Sequence, residues 1–127
     1  MEEMTPLHIA AMDGDVVTIR SLVAEGADVN VQRPGGNRPL HEAAYNGHMD
    51  AVRVLAELGA EVEASSATGA RALHAAAFRG HVAVVKTLVL ELGADKEAAT
   101  ATGARPLHTA AQEGYVAVVK TLVLESR

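Results

Sequence analysis

A four-residue motif built on a Leu-His pair returns four times along the chain at almost constant spacing. It reads Thr5-Pro6-Leu7-His8, Arg38-Pro39-Leu40-His41, Arg71-Ala72-Leu73-His74 and Arg105-Pro106-Leu107-His108, with the histidines 33, 33 and 34 residues apart. Self-similarity at a fixed period of this length means that each period is one structural unit, stacked on the next. Other positions keep the same register. Ala10-Ala11, Ala43-Ala44, Ala76-Ala77 and Ala110-Ala111 follow each His after one variable residue, and Gly14, Gly47, Gly80 and Gly114 come three residues later. Gly-Ala pairs then recur at Gly26-Ala27, Gly59-Ala60 and Gly93-Ala94.

Each unit reads as helix, turn, helix, loop. Pro6, Pro39 and Pro106 stand where a first helical residue belongs, with φ preset and no amide left unpaired. The paired alanines allow close helix approach, and the Gly behind them suits a left-handed stop. A second helix follows, apolar at helical spacing: Val16, Ile19, Leu22 and Val23, then Met49, Val52, Leu55 and Ala56, then Val82, Val85, Leu88 and Val89, then Val116, Val119, Leu122 and Val123. Helices this short are unstable alone, so stacking must hold them. Composition agrees. The chain has 127 residues, 49% of them apolar, yet only Phe78, Tyr45 and Tyr115 are aromatic. A core of Ala, Val and Leu implies thin, closely spaced helices.

TPLHIAAMDGD and RPLHEAAYNGH, followed by LAELGAEVEA, resemble the ankyrin repeat, whose pattern includes Thr-Pro-Leu-His and Gly-Ala-Asp. The resemblance covers residues 5–127 as units 5–37, 38–70 and 71–104, with a partial fourth at 105–127, in one domain spanning 1–127. It implies an all-α solenoid of stacked helix-turn-helix units with β-turn fingers along one edge. It also implies a non-catalytic module that binds another protein or peptide through the groove between fingers and first helices. A structural or regulatory segment of a larger protein, or a scaffold self-associating through its uncapped C-terminal repeat, are the alternatives.

In the resembled fold, the two positions before each turn Gly project into the groove. Here they are Met12 and Asp13, Tyr45 and Asn46, Phe78 and Arg79, Gln112 and Glu113, and they differ in every unit. Tyr, Phe and Arg are favoured interface anchors. The first finger, with Arg33, Asn37 and Arg38, is the most decorated, so binding is expected to centre on units one to three. The later fingers lack Asn and Asp, but Thr68-Gly69 and Thr102-Gly103 can still turn.

Three departures from the family pattern matter. Arg38, Arg71 and Arg105 replace the motif Thr, and a guanidinium cannot accept the helix-start amide that a hydroxyl would. That predicts three weakened caps, at about 0.5–2 kcal/mol each, and a row of cations that is either a basic ladder for an acidic partner segment or a solvated row screened by neighbouring glutamates. Unit three carries one extra residue, since Gly80 to Gly93 is 13 positions where the earlier units have 12. The surplus is expected within Leu90-Glu91-Leu92, lengthening the turn. Finally, Val82–Glu91 is repeated letter for letter as Val116–Glu125, but Ser126-Arg127 follows in place of Leu-Gly-Ala-Asp. An unfinished, uncapped end is expected there, and little at Met4 or Ile9 looks like a cap at the other.

The remaining chemistry is thin. All six histidines fall in the register, and no two have the i, i+4 spacing of a metal pair. The four of the Leu-His motif, His8, His41, His74 and His108, are expected to hydrogen-bond between adjacent fingers, His48 and His81 follow the turn Gly, and no metal or cofactor is expected. Acid pairs such as Glu2/Glu3 and Glu61/Glu63 lack any implied pocket, so no catalysis is expected. A net charge of −5 opposes nucleic-acid binding. The absence of Cys, of a signal peptide and of a bilayer-length apolar run points to a soluble cytoplasmic setting away from membranes.

Overall fold

The computed structural model describes residues 4–125; Glu2, Glu3, Ser126 and Arg127 lie outside the described residues. The described residues form four helix pairs: α1 (Pro6–Asp13) with α2 (Val16–Ala24), α3 (Pro39–Tyr45) with α4 (Met49–Glu57), α5 (Ala72–Arg79) with α6 (Val82–Lys86), and α7 (Pro106–Glu113) with α8 (Val116–Lys120). The first helices pack in series, α1 on α3, α3 on α5 and α5 on α7, and the second helices form a parallel outer row. The result is an all-α solenoid. Its core is thin, with Ala11, Ala43, Ala44, Ala76 and Ala77 wholly buried between first helices and Ile19, Leu55 and Leu88 between the rows.

The helix starts show how the Arg-for-Thr replacements are tolerated. At α1 the Thr5 hydroxyl accepts the His8 amide at 3.2 Å and donates to His8 Nδ1 at 2.8 Å. At α3 and α5 the Arg side chains make no cap. The imidazole compensates instead: Arg38 N–H donates to His41 Nδ1, and Arg71 N–H to His74 Nδ1, both at 2.9 Å. With Nδ1 accepting, each ring carries its proton on Nε2. That proton goes to the finger behind it, from His8 to Asn37 O at 2.9 Å, from His41 to Ala64 O at 3.0 Å and from His74 to Ala98 O at 2.9 Å. The motif His therefore ties a helix start to the following finger.

Fingers close through Arg33 N–H to Asn37 O, Ser66 N–H to Ala70 O and Thr100 N–H to Ala104 O, at 2.8–2.9 Å. They also join to one another, Ala67 N–H to Gly35 O and Ala101 N–H to Thr68 O, each 2.9 Å. Gly69 is needed here twice over. Its φ is +82°, and a Cβ would stand 2.8 Å from the Ala101 nitrogen. The plain Thr-Gly and Ala-rich finger tips are thus what lets the fingers stack.

The extra residue of the third unit does not lengthen the turn. It widens the helix: α6 continues as a π-helical turn, Thr87–Glu91, with Leu92 N–H bonded to Thr87 O at 3.0 Å, and α8 continues identically as Thr121–Glu125. Absorbing the residue inside the helix keeps Glu91 and the Gly93 loop in the register that stacking requires. Glu91 takes two bonds from Arg53, at 2.8 and 2.6 Å. It is one rung of a row along the outer helices, Arg20 to Glu57 at 3.3 Å, Arg53 to Glu91, and Lys86 to Glu125 at 3.6 Å.

The second helix of the first unit is polar at two positions that are buried in the units after it. Val54, Thr87 and Thr121 are buried, as are Ala51, Val84 and Val118. The equivalent residues of α2, Ser21 and Thr18, are polar and at least partly exposed. Asp15 caps α2 as well, accepting from Thr18 N–H at 3.1 Å and Thr18 hydroxyl at 2.6 Å. These polar residues stand beside an apolar crevice lined by Pro6, Leu7, Leu22 and Val31.

Candidate interaction groove

An open groove of about 580 Å³ runs between the fingers and the first helices. Arg33, Pro34, Asn37, Ser66, Ala67, Thr68 and Ala70 line it from the fingers, and Tyr45, His74, Ala75, Phe78 and Thr109 from the helices. Tyr45 and Phe78 come from the same register of consecutive units and remain 40% and 48% exposed, so neither ring is consumed by the core. The Arg79 guanidinium lies over the Tyr45 ring, 4.5 Å from its centroid. At that distance the ring quadrupole attracts the cation. Among the described residues Arg79 has no carboxylate partner.

Of the residues expected in the groove, Arg33, Asn37, Tyr45 and Phe78 line one cavity. Arg33 enters as part of the wall, held by Glu42 at 3.1 Å with both side chains mostly covered. Asn46 turns back, its amide donating to Glu42 O at 2.8 Å. Met12 and Asp13 lie beyond the cavity at the first unit, and Gln112 and Glu113 beyond it at the last. Arg38 leaves the groove altogether to pair with Glu61 at 3.2 Å. Arg71 pairs with Glu63 at 3.0 Å and Arg105 with Glu97 at 3.6 Å, so the arginine row is a set of local ion pairs of small individual worth.

Ala75 and Thr109 were missed. They occupy the variable position between His and Ala-Ala, held elsewhere by Ile9 and Glu42. Its variation from unit to unit was the available signal.

The histidines beside the groove are built to stay neutral. Burial, the largest influence, pushes His41 and His74 below the usual imidazole range, and the adjacent Arg38 and Arg71 push the same way against the carbonyl bonds. Among the described residues no three His, Asp or Glu side chains gather as a metal site would require. No helix among the described residues is long and apolar enough to cross a membrane.

A family model described as ankyrin repeats (3 copies) matches the chain twice, over residues 2–66 and 63–127. No curated protein matches it.

Proposed function

The chain belongs to the ankyrin-repeat family, and from that premise we propose that it is a non-catalytic module that captures a protein or peptide in the groove centred on Tyr45 and Phe78. Repeats of this family are generally protein-interaction modules. The observation that carries the finer reading is the pair of half-exposed rings, set side by side in a concave, largely apolar cavity. Aromatic anchors in such a setting dominate interface energetics, while their surroundings mainly exclude water. The small finger residues Ala67 and Ala70 leave room for an incoming apolar side chain, and Arg79 offers a cation at the rim.

The test compares the intact chain with a Tyr45→Ala/Phe78→Ala double variant as bait, identifying captured proteins by mass spectrometry. Capture by the parent and loss by the variant, with the helical circular-dichroism signal unchanged, is the expected result. Equal capture by both excludes the groove.

A further inference from the structure

We infer that the occupant of the groove is a short acidic peptide segment, one that sets a carboxylate side chain within a few residues of a large apolar one. The inference rests on the groove reading above and adds the chemistry of the partner to it. The cavity about Tyr45 and Phe78 continues into a second, smaller one of about 260 Å³. Arg33, Asn37, Tyr45, Ala70 and Ala75 line both, so the two are compartments of one trough. The larger is walled by Phe78 and small finger residues. The smaller is polar and takes His41, Glu42 and Arg71 into its wall.

The charge in this trough has the opposite sign to that of the chain. The whole molecule carries −5, yet Arg33 and Arg71 stand in the trough wall and Arg79 lies over Tyr45, against Glu42 alone. Glu42 is mostly covered and already bonded to Arg33. Glu63, which pairs with Arg71, lies outside both linings and also accepts the Asp95 amide at 2.6 Å. A guanidinium has five N–H donors, and among the described residues Arg71 gives a single bond, to Glu63. Exposed Arg79 meets no carboxylate among those residues. His41 does not compete for an anion, because both its ring nitrogens are bonded to backbone. Complementarity of charge therefore selects an acidic partner.

Asn37 adds a third element. Its side-chain amide stands in the wall shared by the two compartments and makes no hydrogen bond among the described residues. An amide offers donors and an acceptor together, which matches a peptide group passing over it. Apolar compartment, surplus cation and open amide lie side by side, and a peptide carrying neighbouring apolar and acidic side chains meets all three.

The test selects random phage-displayed dodecapeptides against the intact chain and, in parallel, against the Tyr45→Ala/Phe78→Ala variant. Peptides enriched on the parent are expected to pair Asp or Glu with Leu, Met or Phe within a few residues. Synthetic copies should bind Arg79→Gln about threefold and Arg79→Glu about tenfold more weakly than the parent. Their binding should also weaken as sodium chloride rises from about 50 to about 500 mM. Changing the peptide's Asp or Glu to Asn or Gln should cost the parent more than it costs Arg79→Gln. Both variants should keep the fold, because Arg79 is exposed at the last residue of α5, and circular dichroism checks it. Peptides that need both rings but carry no acidic excess, or that ignore Arg79→Glu, overturn the inference and leave the groove reading standing. Peptides that bind the ring variant equally well overturn both. A selection that enriches nothing overturns the peptide occupant while capture of whole proteins still tests the groove. Sedimentation of the parent as a dimer that Arg79→Glu dissolves makes a second copy the occupant and overturns it too.

Discussion

At the scale of single residues, the histidines carry the most information. His41 and His74 each accept a helix-start amide on Nδ1 and donate to a finger carbonyl from Nε2. A protonated ring can make the second bond but not the first. Their folded pKa values lie below 6.5, chiefly through burial. Above 6.5 the folded and unfolded rings are both neutral and the full stability is present. As pH falls below 6.5 the unfolded chain takes up protons that the folded chain refuses, so stability declines. The urea midpoint is therefore expected to drop between pH 7 and pH 5. His41→Gln, a side chain with no proton to take up, should flatten that slope; an unchanged slope would remove His41 from the account. Asp15 and Glu91 cannot mimic the effect, because bonds from Thr18 and Arg53 hold them below the carboxylate range and their contributions fade at lower pH. The Arg-for-Thr replacement also belongs at this scale. In the first unit Thr5 supplies a side-chain cap and still satisfies His8. Arg71→Thr should gain that cap, typically about 1 kcal/mol, and lose the exposed Glu63 pair, worth less. The melting temperature should rise by about 1–3 °C; an unchanged or lower midpoint contradicts the argument.

At the scale of the element, the π-helical turns are the least expected feature. Counting residues between glycines located the surplus in unit three but could not say whether loop or helix absorbs it. The helix widens rather than the loop, the same ten-residue sequence does so in both units, and the widened turn leaves Glu91 bonded to Arg53. Deleting Leu90 restores the spacing of Met49–Glu57. The deletion variant should fold with a urea-unfolding free energy within about 1 kcal/mol of the parent's, and Glu91→Ala should cost the same in both. A deletion that unfolds the chain would show that the wide turn is itself required. Gly47 illustrates a dependence on neighbours: its φ of +80° is readable as a helix stop, but the His81 ring against its Cα, 2.8 Å from where a Cβ would be, is not.

At the scale of the molecule, the period alone carried the architecture, because units too short to stand alone can only stack. The lining of the candidate groove was legible where register positions varied, at Tyr45 and Phe78, and illegible where a side chain had two places to go. Arg38 and Asn46 sit at plausible positions yet spend themselves on Glu61 and on the backbone of α3. Conversely Ala75 and Thr109 line the groove although neither looks like a contact residue. The proposed function places recognition on the groove side of the stack, opposite the outer row of ion pairs. Hydrogen exchange on the chain, alone and bound to the protein it captures, tests that division most directly. The account predicts new protection at the fingers, residues 33–37 and 66–70, and along α3 and α5, with the outer helices α4 and α6 unchanged. Protection concentrated on the outer helices, with Tyr45 and Phe78 unaffected, would contradict it.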